Sequence, residues 1–332
     1  MKIQTDPAAV ERLLTRGVEE VIPREHLRQA LLSGKKLRIK LGNDPTSPNI
    51  HIGRALSLWK LRTFQYLGHT AVFIVGDFTA LIGDTSDKDA ERPMLSEAEV
   101  QKNVKTYFAQ AFKILDKKKT EIHYNSKWLK KLDFREIGKL ADAFGLHEFE
   151  ARENIAKRMK AGKRVSLREV LYPLMQGYDS VAVKADVELG ATDQKFNLLT
   201  GRTVQKLFGQ EPQDIMMTPL LEGLDGRKMS SSWGNVINIT DEPNDMFGKV
   251  MTLNDGLMGR YFTLATPLSD AEIKNILSRG PREAKAALAS EIVRLYHGQT
   301  AAQQAVAEFE NVFAAKQTPR DIPLVRVSAQ SL

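Results

Sequence analysis

The sequence predicts an α/β protein with a parallel sheet, followed by an all-helical domain. Three observations lead to this fold class. Residues 37–75 read as strand, turn, helix and strand, the pattern repeats loosely as far as 207, and 241–313 shows helical periodicity with few strand-like runs. At 332 residues and 42% apolar content, the chain is long enough for one large or two moderate cores.

The first unit can be assigned element by element. Residues 37–41 alternate basic and apolar side chains and predict a strand, and 44–49 is dense in turn-forming residues. From His51 the apolar residues recur at helical spacing until Gly68, so a helix begins at or near the histidine. Residues 71–75 form an apolar run typical of a buried parallel strand. Such a Rossmann-like unit binds nucleotides at the carboxyl ends of its strands.

The later elements are expected to alternate in the same way. Helices are predicted over 96–115, 132–144, 166–183 and 193–207, and short strands over 121–124 and 186–189. We therefore divide the chain into an α/β domain at 1–225 with a helical connective insertion at about 125–165, a serine-rich loop with the helical domain at 226–317, and a linker or tail at 318–332.

Composition narrows the class of protein. There is no cysteine, which excludes disulfides, thiolate metal sites and cysteine nucleophiles. The net charge of +7 and the pI near 9.3 favour polyanionic partners such as nucleotides and RNA, although charge alone leaves nucleic-acid binding open. The N-terminus carries charge and proline where a secretory signal needs an apolar run, and no run approaches the ~20 apolar residues of a membrane span. We therefore expect a soluble, cytoplasmic protein.

Two segments have the chemistry of phosphate binding. His51 and Gly53 are expected at a helix N-terminus, where unpaired N–H groups and the helix dipole attract an anion, and where glycine admits a nucleotide to the backbone. Residues 228–232, Lys-Met-Ser-Ser-Ser, follow a turn and could fold over a polyphosphate with the lysine charge. Taken alone, the first segment would also suit any strand–turn–helix joint, and the second any solvated basic turn.

Two loops add polar groups. Asp84 could pair with a substrate ammonium while Lys88 and Arg92 face phosphates, unless the loop is an internal salt-bridge network. Residues 190–194 end a strand and open a helix, so Asp193 could reach ribose hydroxyls and Gln194 could close a neighbouring pocket. A simple helix N-cap is the alternative for this second loop.

One predicted helix carries a polar face. Tyr172, Gln176 and Asp179 are four and three residues apart and therefore share a side of the helix at 166–183. A phenol, an amide and a carboxylate are costly to bury unless a polar partner meets them, and a bound zwitterion with a polar side chain would do so. An ordinary solvent-facing stripe remains the alternative.

Together these motifs resemble those of the class I aminoacyl-tRNA synthetases, and among them the bacterial-type tyrosyl-tRNA synthetases. The tetrad at 51–54 and the pentad at 228–232 are similar to the HIGH and KMSKS signatures of the class. The segment 172–179, followed by 190–197, is similar to the motifs that select tyrosine. The resemblance covers about 37–238, continues more weakly beyond, and implies a Rossmann-like class I synthetase catalytic domain with a parallel sheet before the helical domain.

The resemblance implies a role for each matching residue. The tyrosine pocket would be lined by Asp84, Tyr172 and Gln176 at the ammonium, by Asp179 at the phenolic hydroxyl, and by Gln194. Asp193 would bind the ATP ribose. The rest of the nucleotide site would be formed by Gly42, Asp44, Thr46, His51, Gly53, Gly190, Met229 and Ser230. The catalytic contacts to the phosphates would come from His51, Lys88, Arg92, Lys228 and Ser231, with cations at His51, Lys88, Arg92 and Lys228.

Some positions depart from the usual family pattern. Arg54 replaces the second histidine of the first signature, and Ser231 replaces the second lysine of the other, although a KMSSS form does occur in the family. Ala191 stands where a second glycine is usual. Lys40 occupies the place of a tyrosine that contacts the phenol in some members. We therefore count Lys40 among the expected tyrosine-binding residues and expect Asp179 to carry more of the recognition.

The implied activity is that of a tyrosine–tRNA ligase, which forms tyrosyl-adenylate from L-tyrosine and ATP and then charges tRNA(Tyr). Mg²⁺ would accompany the ATP phosphates without a dedicated protein site, and a homodimer is implied. A basic segment beside the expected subunit interface predicts tRNA contacts, unless it is a solvated helix face, at Arg152, Lys157, Arg158, Lys160, Lys163 and Arg164.

Two other functions stay open from the sequence. One is a tryptophan-specific relative on the same scaffold, and the other is a noncatalytic RNA-binding paralogue, for which the missing signature lysine is the only hint. The chain is also expected to lack the small C-terminal RNA-binding domain that many family members carry.

Overall fold

The computed structural model describes residues 3–85 and 94–314. The described chain forms two compact units. The first contains the residues up to Glu222 together with Arg227–Ile239, and the second contains Gly223–Gly226 and the residues from Thr240 onward. In the described part of the chain, no helix is both long and apolar enough to span a membrane.

The first unit is built on a six-stranded sheet in the order β1-β6-β5-β2-β3-β4. Its strands are β1 (Glu20–Ile22), β2 (Arg38–Asn43), β3 (Thr70–Val75), β4 (Thr120–Tyr124), β5 (Val187–Ala191) and β6 (Asp214–Thr218). All neighbouring strands are parallel except β1 and β6, which are antiparallel. The chain builds β3 and β4 on one side of β2 and then returns to β5 on the other side. This change of direction creates a crevice at the carboxyl ends of β2 and β5, where ligands of open α/β sheets bind.

Helices cover both faces of this sheet. They are α1 (Pro7–Thr15), α2 (Arg24–Leu32), α3 (Ile52–Tyr66), α4 (Thr79–Ile82), α5 (Glu97–Ala111), α6 (Ser126–Leu129), α7 (Phe134–Asp142), α8 (Leu146–Glu150), α9 (Glu153–Lys160), α10 (Leu167–Val183) and α11 (Lys195–Leu207). Three of the predicted helices, α5, α7 and α10, begin at capping boxes, in which a serine or aspartate and a glutamate satisfy each other's backbone N–H groups. The predicted fold class is therefore confirmed.

The apolar run of β3 is buried on both of its faces. Val72 and Ile74 pack with Val183 and Ala185, where the chain leaves α10. Between them Phe73 points the other way, and its ring lies 6.3 Å from that of Phe108 in α5. Because both faces are covered, the strand is continuously apolar instead of alternating.

The regular elements that the structure describes in the second unit are all helices. Its helices are α12 (Pro243–Met251), α13 (Met258–Ala265), α14 (Asp270–Leu277), α15 (Pro281–His297) and α16 (Gln299–Phe309), and a π-helical turn (Glu310–Ala314) follows. Phe247, Phe262, Leu288 and Ile292 are among its fully buried core residues. The all-helical second domain is thus confirmed, while the tail predicted at 318–332 lies outside the described residues.

The serine-rich loop does not follow the predicted boundary at 225. Residues Arg227–Ile239 group with the first unit instead of with the helices. Met229 in this loop is buried, and Asn238 forms an isolated β-bridge with His51. Backbone pairing and apolar burial therefore attach the loop to the sheet domain.

Candidate active site

A cavity of about 530 Å³ lies at the crevice between β2 and β5. It is lined by residues from loops and helices far apart in the sequence. The residues predicted for tyrosine and nucleotide binding that line it are Gly42, Asp44, Thr46, His51, Gly53, Asp84, Tyr172, Gln176, Asp179, Gly190, Asp193, Gln194, Lys228, Met229, Ser230 and Ser231. The fold thus brings into one cavity most of the residues that the sequence singled out for tyrosine and ATP. Lys88 and Arg92 lie outside the described residues.

His51 caps α3 at the edge of the cavity. Its Nδ1 accepts the backbone N–H of Arg54 at 3.3 Å, so the ring proton is on Nε2. The side chain is buried, and burial first, with the nearby charges of Arg54 and Lys228, lowers its pKa to about 3. His51 is therefore neutral at pH 7. This corrects its assignment as a cation: it can serve as a neutral donor, because burial beside two cations disfavours the imidazolium.

The two signature segments touch each other. The backbone nitrogen of Gly53 lies 3.4 Å from the sulfur of Met229. A Cβ at position 53 would stand 3.1 Å from His51 Nδ1 and 3.5 Å from Met229 Cβ. Any side chain at this position would thus crowd the His51 ring, while it would only touch Met229 of the loop. Glycine keeps the helix N-terminus open to a ligand and also lets the loop close on it.

Lys228 is paired with a residue of the same cavity. Its ammonium lies 2.5 Å from Oδ2 of Asp193, the predicted ribose ligand. The loop is held by Asn235, which accepts the N–H of Ser230 at 2.8 Å and donates to the carbonyl of Lys228 at 3.0 Å. The expected phosphate cation and the expected ribose acceptor are therefore within reach of each other.

Tyr172 is oriented by Asp44. Its hydroxyl donates to Asp44 Oδ2 at 2.9 Å, and Thr79 donates to the other oxygen at 2.7 Å. Burial, followed by the charges of Asp44 and Asp84, raises the pKa of Tyr172 well above its usual value. The phenol is protonated at pH 7 and its proton is used by Asp44. Its oxygen can therefore act only as an acceptor toward the cavity.

Asp84 is held by a chain of amides. Gln194 donates its Nε2 to Asp84 Oδ2 at 2.7 Å, and Asn197 donates to Gln194 Oε1 at 3.0 Å. These contacts fix one carboxylate oxygen of Asp84 at the cavity wall. Together with Gln176 and Tyr172, it provides oxygen acceptors suited to an ammonium group.

Asp179 is a buried carboxylate at the floor of the cavity. Its oxygens accept hydrogen bonds from Trp128 Nε1 at 2.7 Å and from Asn125 Nδ2 at 3.2 Å. Burial raises its pKa to about 7, against the lowering effects of Lys40, Trp128 and Asn125, and Glu188 raises it further. The sequence reading missed Trp128 and Asn125. A signal was available, since Asn125 directly follows the predicted strand at 121–124 and Trp128 comes three residues later, at the sheet edge where ligands bind.

Lys40 was predicted to bind the substrate phenol, and the structure corrects this. The side chain is fully buried and does not line the cavity. Its ammonium donates to the backbone carbonyl of Gln176 at 2.8 Å and to Ser180 Oγ at 2.7 Å, and it lies 2.9 Å from Glu188 Oε1. An ammonium has three protons, and all three are used beneath the cavity. Its positive charge acts on the site by lowering the pKa of Asp179.

Two of the residues predicted to contact tRNA are not on the surface. Arg158 is 1% exposed, because it forms an ion pair with Glu169 of the α10 capping box. Arg152 is 9% exposed, and its guanidinium stacks on the ring of Phe196 at 4.9 Å. Neither guanidinium is placed to meet RNA phosphates, so these two assignments are wrong. The other four predicted residues, Lys157, Lys160, Lys163 and Arg164, are exposed.

Comparison with known proteins agrees with this geometry. The family of class I tRNA synthetases described as "W and Y" matches residues 32–314. The tyrosine–tRNA ligase of Carboxydothermus hydrogenoformans is 50% identical over 329 residues, which span 96% of this chain and 80% of that protein. The tyrosine–tRNA ligase of Thermotoga maritima is 45% identical over 98% of this chain and 82% of that protein.

Solved structures show the same fold. A truncated mitochondrial tyrosyl-tRNA synthetase from Aspergillus nidulans superposes with a TM-score of 0.78 at 24% identity, over 92% of this chain and 94% of that one. A tyrosyl-tRNA synthetase from Archaeoglobus fulgidus, complexed with L-tyrosine, superposes with a TM-score of 0.72 at 22% identity, over 91% of this chain and 100% of that one.

Proposed function

This chain belongs to the class I tRNA synthetases of the tryptophan and tyrosine group, and we infer that its cavity performs tyrosine activation and transfer to tRNA(Tyr). One observation supports this function most directly. Both signature segments line the same cavity as a group of side chains that offers hydrogen-bond acceptors for an ammonium and, deeper in, a buried carboxylate. Relatives 45–50% identical over nearly the whole chain are tyrosine–tRNA ligases. This favours tyrosine over tryptophan and an enzyme over a noncatalytic RNA-binding protein.

The first step is attack of the tyrosine carboxylate on the α-phosphorus of ATP, which yields tyrosyl-adenylate and pyrophosphate. The nucleophile is already an anion at pH 7, so no general base is needed. The chain contributes position and charge stabilisation. We assign the Nε2–H of His51, the N-terminal N–H groups of α3 and the Lys228 ammonium to the phosphates. Transfer of the tyrosyl group to the 3′-terminal ribose of the tRNA follows.

ATP must replace the ion pair that Lys228 makes with Asp193. Ribose hydroxyls can donate to the Asp193 carboxylate, and the phosphates can accept from Lys228, so both partners exchange one charged contact for another. Mg²⁺ supplies further charge neutralisation when it is bound with ATP. Among residues 3–85 and 94–314, no three His, Asp or Glu side chains are grouped as metal ligands. We assign the ion to the ATP phosphates, because Mg²⁺ in nucleotide sites is bound largely by phosphate oxygens and water.

Tyrosine is held at both of its polar ends. The ammonium meets oxygens of Asp84, Tyr172 and Gln176, and the phenolic hydroxyl donates to Asp179. Phenylalanine would leave the Asp179 carboxylate buried without this donor, which is costly. The direct test is charging of tRNA(Tyr) with labelled tyrosine and ATP. Charging supports the ligase, and tRNA binding without charging would favour a noncatalytic RNA-binding protein. Because a tRNA ligase acts where its tRNA is used, we place it in the cytoplasm.

For tRNA binding we propose the exposed part of the basic segment. Replacing Lys157, Lys160 and Lys163 by glutamine should weaken tRNA binding and lower the slope of log K against log salt by about 2, because fewer counterions are released. Filter binding at several salt concentrations measures the slope. A triple replacement at Lys117, Lys118 and Lys119 removes the same charge elsewhere. An unchanged slope in the first variant would contradict the assignment.

We also propose a homodimer. Several large apolar side chains are exposed between positions 134 and 171, including Phe134 at 92% and Leu167 at 78%. Burying such groups against a second copy would remove this apolar surface from water. Replacing both residues by lysine should yield a monomer in sedimentation analysis. Lysine at Tyr66 and Leu207, which are also exposed, should leave the dimer intact. A wild-type monomer would refute the proposal.

A further inference from the structure

The side-chain amide of Gln176 is fixed in one orientation. Its Nε2 donates to Glu188 Oε1 at 3.1 Å, and the residue lines the cavity. A carboxylate oxygen only accepts hydrogen bonds, so the amide must turn its nitrogen toward Glu188. The remaining polar atom of the amide is its oxygen. With its nitrogen held by Glu188, the Gln176 amide can turn its oxygen, an acceptor, toward a ligand in the cavity.

Glu188 is itself held in place. It is 1% exposed, on β5, and its two oxygens share four donors. Oε1 accepts from Gln176 and from Lys40 at 2.9 Å, and Oε2 accepts from Ser180 at 3.2 Å and from Gln213. Lys40 is held in turn by the backbone carbonyl of Gln176 and by the hydroxyl of Ser180. The carboxylate cannot rotate without breaking several hydrogen bonds.

The packing around this network is equally restrictive. Gly201 of α11 lies against it, and a Cβ there would stand 2.5 Å from Gln213 Nε2 and 3.2 Å from Glu188 Oε2. A side chain at position 201 would thus push into the carboxylate. Because Gly201 has no Cβ, the buried network fits between helix α11 and the sheet.

We propose that Glu188 is a positioning residue for amino-acid recognition, which sets the Gln176 amide so that its oxygen faces the substrate ammonium. The inference rests on the proposed function of the cavity as a tyrosine site. In the opposite orientation the amide would point its N–H groups at a cation, and an attractive contact would become a repulsive one. Glu188 never touches the substrate and acts through Gln176, while Lys40 balances its charge.

The test compares two ligands that differ only in the ammonium: L-tyrosine and 3-(4-hydroxyphenyl)propionate. Dissociation constants are measured by calorimetry for the whole chain. In Glu188→Gln the new amide can donate to Gln176 and let it turn over. The preference for tyrosine should then fall about tenfold or more, while the deaminated ligand changes little, since one hydrogen bond to a charged group is lost.

Glu188→Gln leaves the Lys40 ammonium without its carboxylate, so a second variant guards against misfolding. Lys40→Met/Glu188→Met removes the pair together, and it should lose the preference as well, because Gln176 then has no fixed partner. Arg38→Met/Glu121→Met removes another ion pair that begins on β2, with Glu121 on β4, and this control should keep the preference for tyrosine. In a Gln176→Met background, Glu188→Gln should cause no further loss.

The possible outcomes distinguish the positioning role of Glu188 from the proposed tyrosine site. Equal weakening of both ligands in Glu188→Gln, or an unchanged preference, would overturn the positioning role. A further loss of preference on the Gln176→Met background would also overturn it, because Glu188 would then act by another route. If wild-type protein does not prefer tyrosine to its deaminated analogue, the proposed tyrosine site itself fails.

Discussion

Asp179→Ala is expected to abolish tyrosine-dependent pyrophosphate exchange, with kcat/KM falling by at least about a hundredfold. The change removes the acceptor for the phenolic hydroxyl and also leaves Trp128 Nε1 without the partner that it has at 2.7 Å. Exchange with phenylalanine should change much less, so discrimination between the two amino acids should be lost. Isotopic exchange with both substrates measures this.

A nearby carboxylate provides the control for this variant. Asp77 accepts the hydroxyl of Ser126 at 2.6 Å but does not line the cavity. Asp77→Ala should lower stability and keep the discrimination. Tyrosine-dependent exchange at the wild-type rate in Asp179→Ala would remove the tyrosine assignment.

The same carboxylate should make tyrosine recognition depend on pH. Its pKa is raised to about 7 because it is buried, so it is ionised above pH 7 and protonated below. If the ionised form accepts the phenol, kcat/KM for tyrosine falls by up to about tenfold per unit below pH 7, and that for phenylalanine does not. Since the folded pKa lies above the ordinary value of 3.8, burial of this group also makes unfolding easier as pH rises from 4 to 7. A flat tyrosine-to-phenylalanine ratio from pH 5 to 8 would contradict this role.

Lys228→Met is expected to lower kcat of exchange by about a hundredfold or more while the dissociation constant for tyrosine stays unchanged. Its charge is needed where negative charge develops, and Ser231 cannot replace it. Because the variant also releases Asp193 from its ion pair, adenosine should bind at least as tightly as to wild type. Single-turnover kinetics and adenosine binding separate the two effects.

The adjacent cation serves as the control for Lys228. Arg227 stacks on the ring of Trp233 at 4.7 Å and does not line the cavity. Arg227→Met should therefore keep most of the exchange rate. An equal loss in both variants would mean that loop structure, and not the charge of Lys228, is responsible.

Residues whose position follows from local geometry could be predicted from the sequence. His51 is an N-cap two residues before a glycine, and the face shared by Tyr172, Gln176 and Asp179 is a consequence of helical spacing. Their convergence in one cavity follows from the rule that parallel strands place their carboxyl ends together.

Properties set by long-range packing could not be predicted. The charge state of His51 and the buried positions of Lys40 and Arg158 depend on which groups surround them, and the sequence does not give that information. The partner of Lys40 is Glu188, almost 150 residues later. The antiparallel pair of β1 and β6 was also missed. β1 is only three residues long, and its pairing with β6 joins segments that lie far apart in the sequence.

The central claim is that one cavity activates tyrosine with ATP, and amino-acid-dependent ATP–pyrophosphate exchange tests it most directly. Tyrosine, phenylalanine and tryptophan are compared over a range of concentrations with the same protein. The account predicts exchange with tyrosine, and a kcat/KM at least about a hundredfold above that of either competitor. Equal or faster exchange with tryptophan, or no exchange with tyrosine, would contradict it.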